Sequence, residues 1–279
     1  MVRFSTTLLA TVAITVVGGA CNVASGPTAV TPPTPAGLGA AAKPAAAPSL
    51  SAAAASNRSA QASGKQDAPG IHIIELFTSQ GCSSCPPADS LVAELGHQAN
   101  VLPLSFHVDY WNYLGWADPF SQAAWSERQQ TYARHLGDRG VYTPQLVIDG
   151  RVGMVGSNRR DVELSLAAAD ATTPRVLAAT ATWTATSVRI DVAAPGDAPV
   201  WVALYDRSTR VDVPRGENAG ATLQTTNPVR ALQRIAGPHQ HVSADIKMPT
   251  SCINCSAVAF IQDASDLGPI IAAINLPRP

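Results

Sequence analysis

The chain has 279 residues, 46% of them hydrophobic, and a formal net charge of −1. That length has room for about two domains at one per ~150 residues, and the near-zero charge argues against a nucleic-acid or other polyanion partner. The five cysteines fall as one single residue, Cys21, and two C-x-x-C pairs, Cys82/Cys85 and Cys252/Cys255.

Arg3 gives a short basic start, and Leu8 to Val17 (LLATVAITVV) is an apolar run of ten. The run is too short to span a bilayer, which takes ~20 apolar residues, and it fits a secretory signal over residues 1–20. The protein is therefore expected in the cell envelope or periplasm. Cys21 directly follows Gly18-Gly19-Ala20, an arrangement that resembles the site where bacterial lipoproteins are cut and lipidated. Gly18 stands where that site usually has Leu or Val, and simple cleavage near Ala20 or Ala24 is the alternative. Residues 21–69 are rich in Ala, Pro, Ser and Thr. They lack the apolar periodicity needed to offset the entropy of ordering, so they read as a disordered linker. With a lipid on Cys21, that linker would tether the rest of the chain to a membrane.

Residues 71–77 (IHIIELF) predict a buried strand, broken by TSQGCSSC. Pro86 and Pro87 mark a helix start, because a first turn tolerates proline; Leu91, Val92 and Leu95 give that helix an apolar face. Residues 101–108 predict a second buried strand. Asp118-Pro119 has the form of an N-cap followed by Pro at N1 and predicts a helix from there to about Leu136. Thr143-Pro144 precedes a strand at QLVI, Asp149-Gly150 predicts a hairpin turn into RVGMV, and Asn158 caps a last helix. The order β-α-β-α-β-β-α over 70–172 is that of thioredoxin-like domains, which carry a redox pair at the first strand-to-helix junction. From residue 175 to 279 the runs become alternating and β-branched, predicting a small β-rich, sandwich-like domain. Residues 227–235 fit either a short helix or a strand.

A redox dithiol needs two sulfurs close enough to bridge, one of them ionised at working pH. A helix start meets both needs, since its free N–H groups and positive dipole end favour the thiolate. Cys82 is thus expected to be the exposed nucleophile and Cys85 the resolving thiol. Thioredoxin-like proteins face the redox pair with a cis proline, and Thr143-Pro144 stands where that proline is expected. Glu75 is the candidate buried acid for proton transfer from Cys85. Seven of the fifteen aromatic residues fall between Phe106 and Trp125. Trp111 and Trp116 are expected to wall a substrate groove with Thr143, unless these rings fill the core.

Three runs, ELFTSQGCSSCPPAD (75–89), SFHVDYWNYLGWADPFS (105–121) and VYTPQLVIDGR (141–151), resemble an exported bacterial family, domain of unknown function 1223, grouped with thioredoxin-like proteins. GENAG (216–220) and AVAFIQD are similar to the C-terminal part of the same family. The resemblance spans about 70–279 and implies the thioredoxin-like fold and thiol chemistry. Two departures from ordinary thioredoxins stand out. Glu75 lies seven residues before Cys82 rather than six, and Gly81 replaces the usual aromatic.

The function expected is an exported thiol–disulfide oxidoreductase acting on protein thiols or disulfides of the envelope, with the cysteine pair as its only redox group. One alternative is a copper(I) carrier holding the ion with Cys82, Cys85 and His107; another is a non-catalytic binding module. Cys252/Cys255 is expected to be a structural disulfide, with a metal site including His239 and His241, or a second redox pair, as alternatives.

Overall fold

The computed structural model describes residues 70–193, 199–235, 241–252, 254–263 and 267–279, all within one compact unit. The signal segment, Cys21, the 21–69 linker and His239 lie outside the described residues. Among these residues no helix is long and apolar enough to cross a membrane.

The first sheet is built around β1 (His72–Thr78), which is buried along its whole length. Its sequence HIIELFT accordingly lacks the alternation of a half-exposed strand. β1 pairs in parallel with β2 (Val101–His107) and antiparallel with β3 (Gln145–Ile148), and β3 pairs antiparallel with β4 (Val152–Val155). Parallel neighbours need a crossover; α1 (Pro86–Leu95) supplies it between β1 and β2. α2 (Ala123–Leu136) joins β2 to β3, and α3 (Arg159–Ala169) follows β4. The strand order is β2-β1-β3-β4.

Alternation along β1 sends its side chains to two different cores. Ile74 and Leu76 pack with Ala88, Leu91, Val92 and Leu95 of α1 and with Val162 and Leu166 of α3. Ile73 and Phe77 face the other way, toward Phe106 and toward Trp125 and Tyr132 of α2. The two prolines stand in the first turn of α1, where the missing N–H groups have no helical partner to lose. Asn158 caps α3 by accepting from the Asp161 N–H.

Asp118 does not open α2. The helix begins five residues later, at Ala123, with Gln122 extended before it. The Asp118 carboxylate does accept from the Phe120 N–H, but it also binds His107 and the Gln80 N–H. The same local signal serves a turn here, because the long-range partners fix the carboxylate to the sheet. At the β3–β4 turn, Asp149 and Gly150 have φ of +47° and +65°. A Cβ on Gly150 would come within 2.6 Å of the Gly268 carbonyl, so the turn requires glycine on two grounds.

The rest of the chain is β-structure. β5 (Arg175–Val176), β6 (Ala178–Trp183), β7 (Ser187–Ala193), β8 (Val200–Tyr205), β9 (Thr209–Asp212), β10 (Thr222–Thr225), β11 (Val229–Ile235), β12 (Val242–Lys247), β13 (Ser256–Gln262) and β14 (Ile270–Leu276) follow in order. They form a five-stranded sheet β11-β8-β13-β14-β5, a three-stranded sheet β12-β7-β6 and a β9–β10 ribbon. Residues 229–235 are thus a strand. Val200, Val202 and Leu204 on one face of β8 pack with Val188, Ile190 and Val192 of the three-stranded sheet. Ala203 and Tyr205, on its other face, join Phe77, Phe106 and Tyr132. The five-stranded sheet is therefore covered on both sides, which explains the uninterrupted apolar run of β13. Segments 70–172 and 175–279 share this core. Backbone contacts tie them further: Ser105 N–H donates to the Asn227 carbonyl, and Asn227 Nδ2 to that of Pro103.

Candidate functional site

β1 ends at Thr78, and the turn Ser79–Cys85 leads into α1 with Cys85 at the N-cap. Cys82 and Cys85 are joined by a disulfide. The Thr143–Pro144 peptide is cis, and the Thr143 hydroxyl donates to Cys82 Sγ at 3.3 Å. Trp111 Nε1 donates to Thr143 Oγ1 at 2.9 Å, which orients that hydroxyl. Ser84 Oγ lies 3.3 Å from Cys82 Sγ and donates to the Thr143 carbonyl. Trp116 Nε1 donates to Gln80 Oε1 at 2.9 Å. Thr143, Trp111 and Ser84 thus gather around the Cys82–Cys85 disulfide, with Pro144 next to Thr143 in the chain and Trp116 hydrogen-bonded to Gln80 of the cysteine turn. Gly81 belongs there because a Cβ on it would approach Trp111 Cβ to 3.0 Å.

Cys82 is not exposed. It retains 1% of its accessible surface and Cys85 none. Part of the cover comes from the loop between β9 and β10, which holds the GENAG run. Asn218 Nδ2 donates to the carbonyls of Gln80 and Cys82, each at 2.9 Å, and Glu217 Oε2 accepts from the Ser83 N–H at 2.9 Å. Gly216 turns the loop here with φ +86°, and a Cβ on it would lie 3.9 Å from the Gly81 Cα. The donors expected to support a Cys82 thiolate are correspondingly reduced. Pro86 and Pro87 have no N–H, and that of Ser83 is taken by Glu217. Glu217 and Asn218 were not recognisable as site residues in the sequence, since only the fold carries them across more than 130 positions.

Glu75 does not serve Cys85. It lies in mid-strand, fully buried, and points with Ile73 and Phe77 toward α2, whereas α1 covers the opposite face. Arg128 Nε donates to Glu75 Oε1 at 2.8 Å, and the Tyr132 hydroxyl donates to Glu75 Oε2. Arg128 also donates to Gln262 Oε1, so this ion pair ties α2 to both sheets.

A different acid stands near the pair. Asp89, in the first turn of α1, donates its N–H to the Cys85 carbonyl and accepts from the Thr78 hydroxyl. Its second carboxylate oxygen is buried with no hydrogen-bond partner among the described residues. Burial raises its pKa from 3.8 to about 7, although His107 and Thr78 pull the other way. His107 lies beyond, with Nδ1 2.6 Å from Asp118 Oδ2. Burial disfavours the His107 imidazolium, but the Asp118 charge and hydrogen bond outweigh it and the pKa is raised. Asp118 is in turn held below its ordinary value: burial is overcome by His107 and by the Gln80 and Phe120 N–H groups. With the Cys82–Cys85 disulfide closed, the donor atoms of Cys82, Cys85 and His107 do not all lie within 4.8 Å of one another.

Cys252 and Cys255 form a second disulfide. Asp206 lies against it, with Oδ1 3.3 Å from Cys255 Sγ.

A disulfide closed at the mouth of a sheet-packed helix, faced by a threonine hydroxyl and a cis X-Pro bond, defines the class: an α/β protein with a vicinal cysteine site. The family model described as protein of unknown function, DUF1223, matches residues 73–262, and the chain belongs to that family. A crystal structure of a protein from Agrobacterium tumefaciens is similar at 32% identity with a TM-score of 0.60, covering 75% of this chain and 95% of that one. None of the curated proteins matches.

Proposed function

We propose that the protein is an exported thiol–disulfide oxidoreductase of thioredoxin-like fold, tethered to the envelope through Cys21. The observation that carries the reading is the Thr143 hydroxyl on Cys82 Sγ beside the Cys82–Cys85 disulfide, at the junction of β1 and α1. The β2-β1-β3-β4 order with helices after β1, β2 and β4 supports the fold.

In the oxidising direction, a substrate thiolate attacks Cys82 Sγ, breaks the disulfide and leaves the electron pair on Cys85 Sγ as a thiolate. Asp89, protonated in part near pH 7, is the nearest acid along the helix to supply the proton that Cys85 takes up. A second substrate thiol then attacks the substrate sulfur of the mixed disulfide. The substrate disulfide is released, with both cysteines reduced. Because Cys82 is covered, the β9–β10 loop must move before the first attack. That requirement favours partners able to displace Glu217 and Asn218.

The test is disulfide exchange with a fluorogenic peptide bearing a thiol or disulfide. Exchange by the full chain that is abolished by Cys82→Ser, and kept when Cys252 and Cys255 are both serine, supports the reading. Exchange that persists in Cys82→Ser rejects it. Labelling with a radioactive fatty acid, lost in Cys21→Ser, tests the tether.

A further inference from the structure

The second disulfide has an environment that a purely structural cross-link does not need. β8 and β13 are antiparallel neighbours with Tyr205 opposite Ser256. The next residues outward are Asp206 on one strand and Cys255 on the other, so the register itself sets the carboxylate beside the sulfur. The Cys252 N–H donates to the Pro249 carbonyl, in a turn that returns Cys252 to Cys255. The donor atoms of Asp206, Cys252 and Cys255 all lie within 4.8 Å of one another and all three residues are buried. No other such group of histidine, cysteine and acidic side chains occurs among the described residues. A disulfide sulfur has no proton to give a carboxylate oxygen 3.3 Å away. Oδ1 gains a donor from the cysteine pair only when the bond is opened, while Oδ2 stays with Arg230.

Reduction by a dithiol would give two thiols, Cys252 and Cys255, and the cyclic disulfide of the reductant. Counted as thiolates with the Asp206 carboxylate, the cluster holds three negative charges. Arg230, with Nε 2.6 Å from Asp206 Oδ2, supplies one positive charge. The remaining −2 is unfavourable in a buried site. A divalent ion brings the sum to zero, whereas copper(I) leaves −1. The geometry agrees: tetrahedral zinc with Zn–S near 2.3 Å and Zn–O near 2.0–2.2 Å sets sulfur and oxygen ligands about 3.5 Å apart, against 3.3 Å here. A cleft of about 450 Å³ borders Asp206, Ser251, Asn254 and Arg230, giving water access for a fourth ligand.

We infer that the reduced Cys252–Cys255 pair and Asp206 form a binding site for a zinc-class divalent cation, with the disulfide as its metal-free form. Binding converts two thiols and one Zn²⁺ into a dithiolate complex and two released protons. Oxidation of the pair by a disulfide, which leaves as two thiols, therefore ejects the ion. This site is separate from the Cys82–Cys85 chemistry and does not depend on it.

The experiment uses the full chain with Cys82→Ser and Cys85→Ser, reduced by a dithiol and freed of reductant without oxygen. Zn²⁺ is titrated against a chromophoric chelator. One zinc per chain is expected, with none in the oxidised protein and none in Cys252→Ser, and at least tenfold weaker binding in Asp206→Asn. No bound zinc, or unchanged affinity in Asp206→Asn, overturns the assignment. X-ray absorption on the zinc-loaded Cys82→Ser, Cys85→Ser protein decides the case even where Asp206→Asn fails to fold. Two sulfurs with oxygen ligands are expected; a four-sulfur or histidine-containing shell overturns it.

Discussion

The side-chain amide of Asn218 donates to the backbone carbonyl of Cys82 at 2.9 Å, from 136 residues further along the chain. A residue of the β-structure thereby becomes part of the cysteine loop. The same amide holds the Gln80 carbonyl, and Glu217 holds the Ser83 N–H.

Asn218→Ala should expose Cys82. Two hydrogen bonds at a net ~1 kcal/mol each amount to about 2 kcal/mol, a roughly 30-fold shift in loop opening. After mild reduction, the alkylation rate of Cys82 should rise by about that factor. An unchanged rate would mean that the loop is not what limits access.

Thr143→Val removes the hydroxyl that points at Cys82 Sγ. A hydrogen bond to a charged group is worth ~1.5–3 kcal/mol, so the thiol pKa of reduced Cys82 should rise by roughly one to two units. Thiolate absorbance followed against pH reads this directly. A pKa equal to that of the wild type would remove Thr143 from the site.

Glu75→Gln strips the buried Arg128 of its counter-charge. Breaking a buried pair from one side costs about 3–5 kcal/mol, and urea unfolding should show a loss near the lower figure, since glutamine still accepts a hydrogen bond. The Cys82 thiol pKa should not move. A shifted thiol pKa would return Glu75 to the chemistry.

Asp89 gives stability a pH dependence of known sign. Its folded pKa of about 7 lies above the ordinary 3.8, so the native state keeps a proton that the unfolded chain releases. Its contribution is complete below the ordinary value and declines as pH rises from about 4 to 7. His107, also raised, loses its contribution upward through its own folded pKa. Asp89→Asn copies the neutral acid and retains an oxygen for Thr78. The variant should gain on the wild type in urea midpoint at pH 8 and match it near pH 4. An equal difference at both pH values contradicts the assignment.

Local chemistry made some of this legible in the sequence. Pro86 and Pro87 mark the start of α1, Asn158 caps α3, and Asp149-Gly150 turns the β3–β4 hairpin, because each signal acts within a few residues. The approach of Thr143 to Cys82, with Trp111 hydrogen-bonded behind it, followed from family resemblance and from loops at one end of a sheet. Long-range pairing hid the rest. The face on which Glu75 sits depends on what packs against β1, and the Asp118 carboxylate was committed to His107 and Gln80 rather than to a helix. GENAG has no periodicity to announce that it lies on Cys82, and Asp206 meets Cys255 only through the β8–β13 register.

The most direct test of the central claim is the reduction potential of Cys82–Cys85. It is measured in the full chain with Cys252 and Cys255 changed to serine, equilibrated in glutathione and dithiothreitol buffers. The proposed redox role predicts a value between about −120 mV, as for strong oxidants, and about −270 mV, as for reductants. A pair that stays oxidised well below about −300 mV behaves as a structural cross-link, and the oxidoreductase reading would then be wrong.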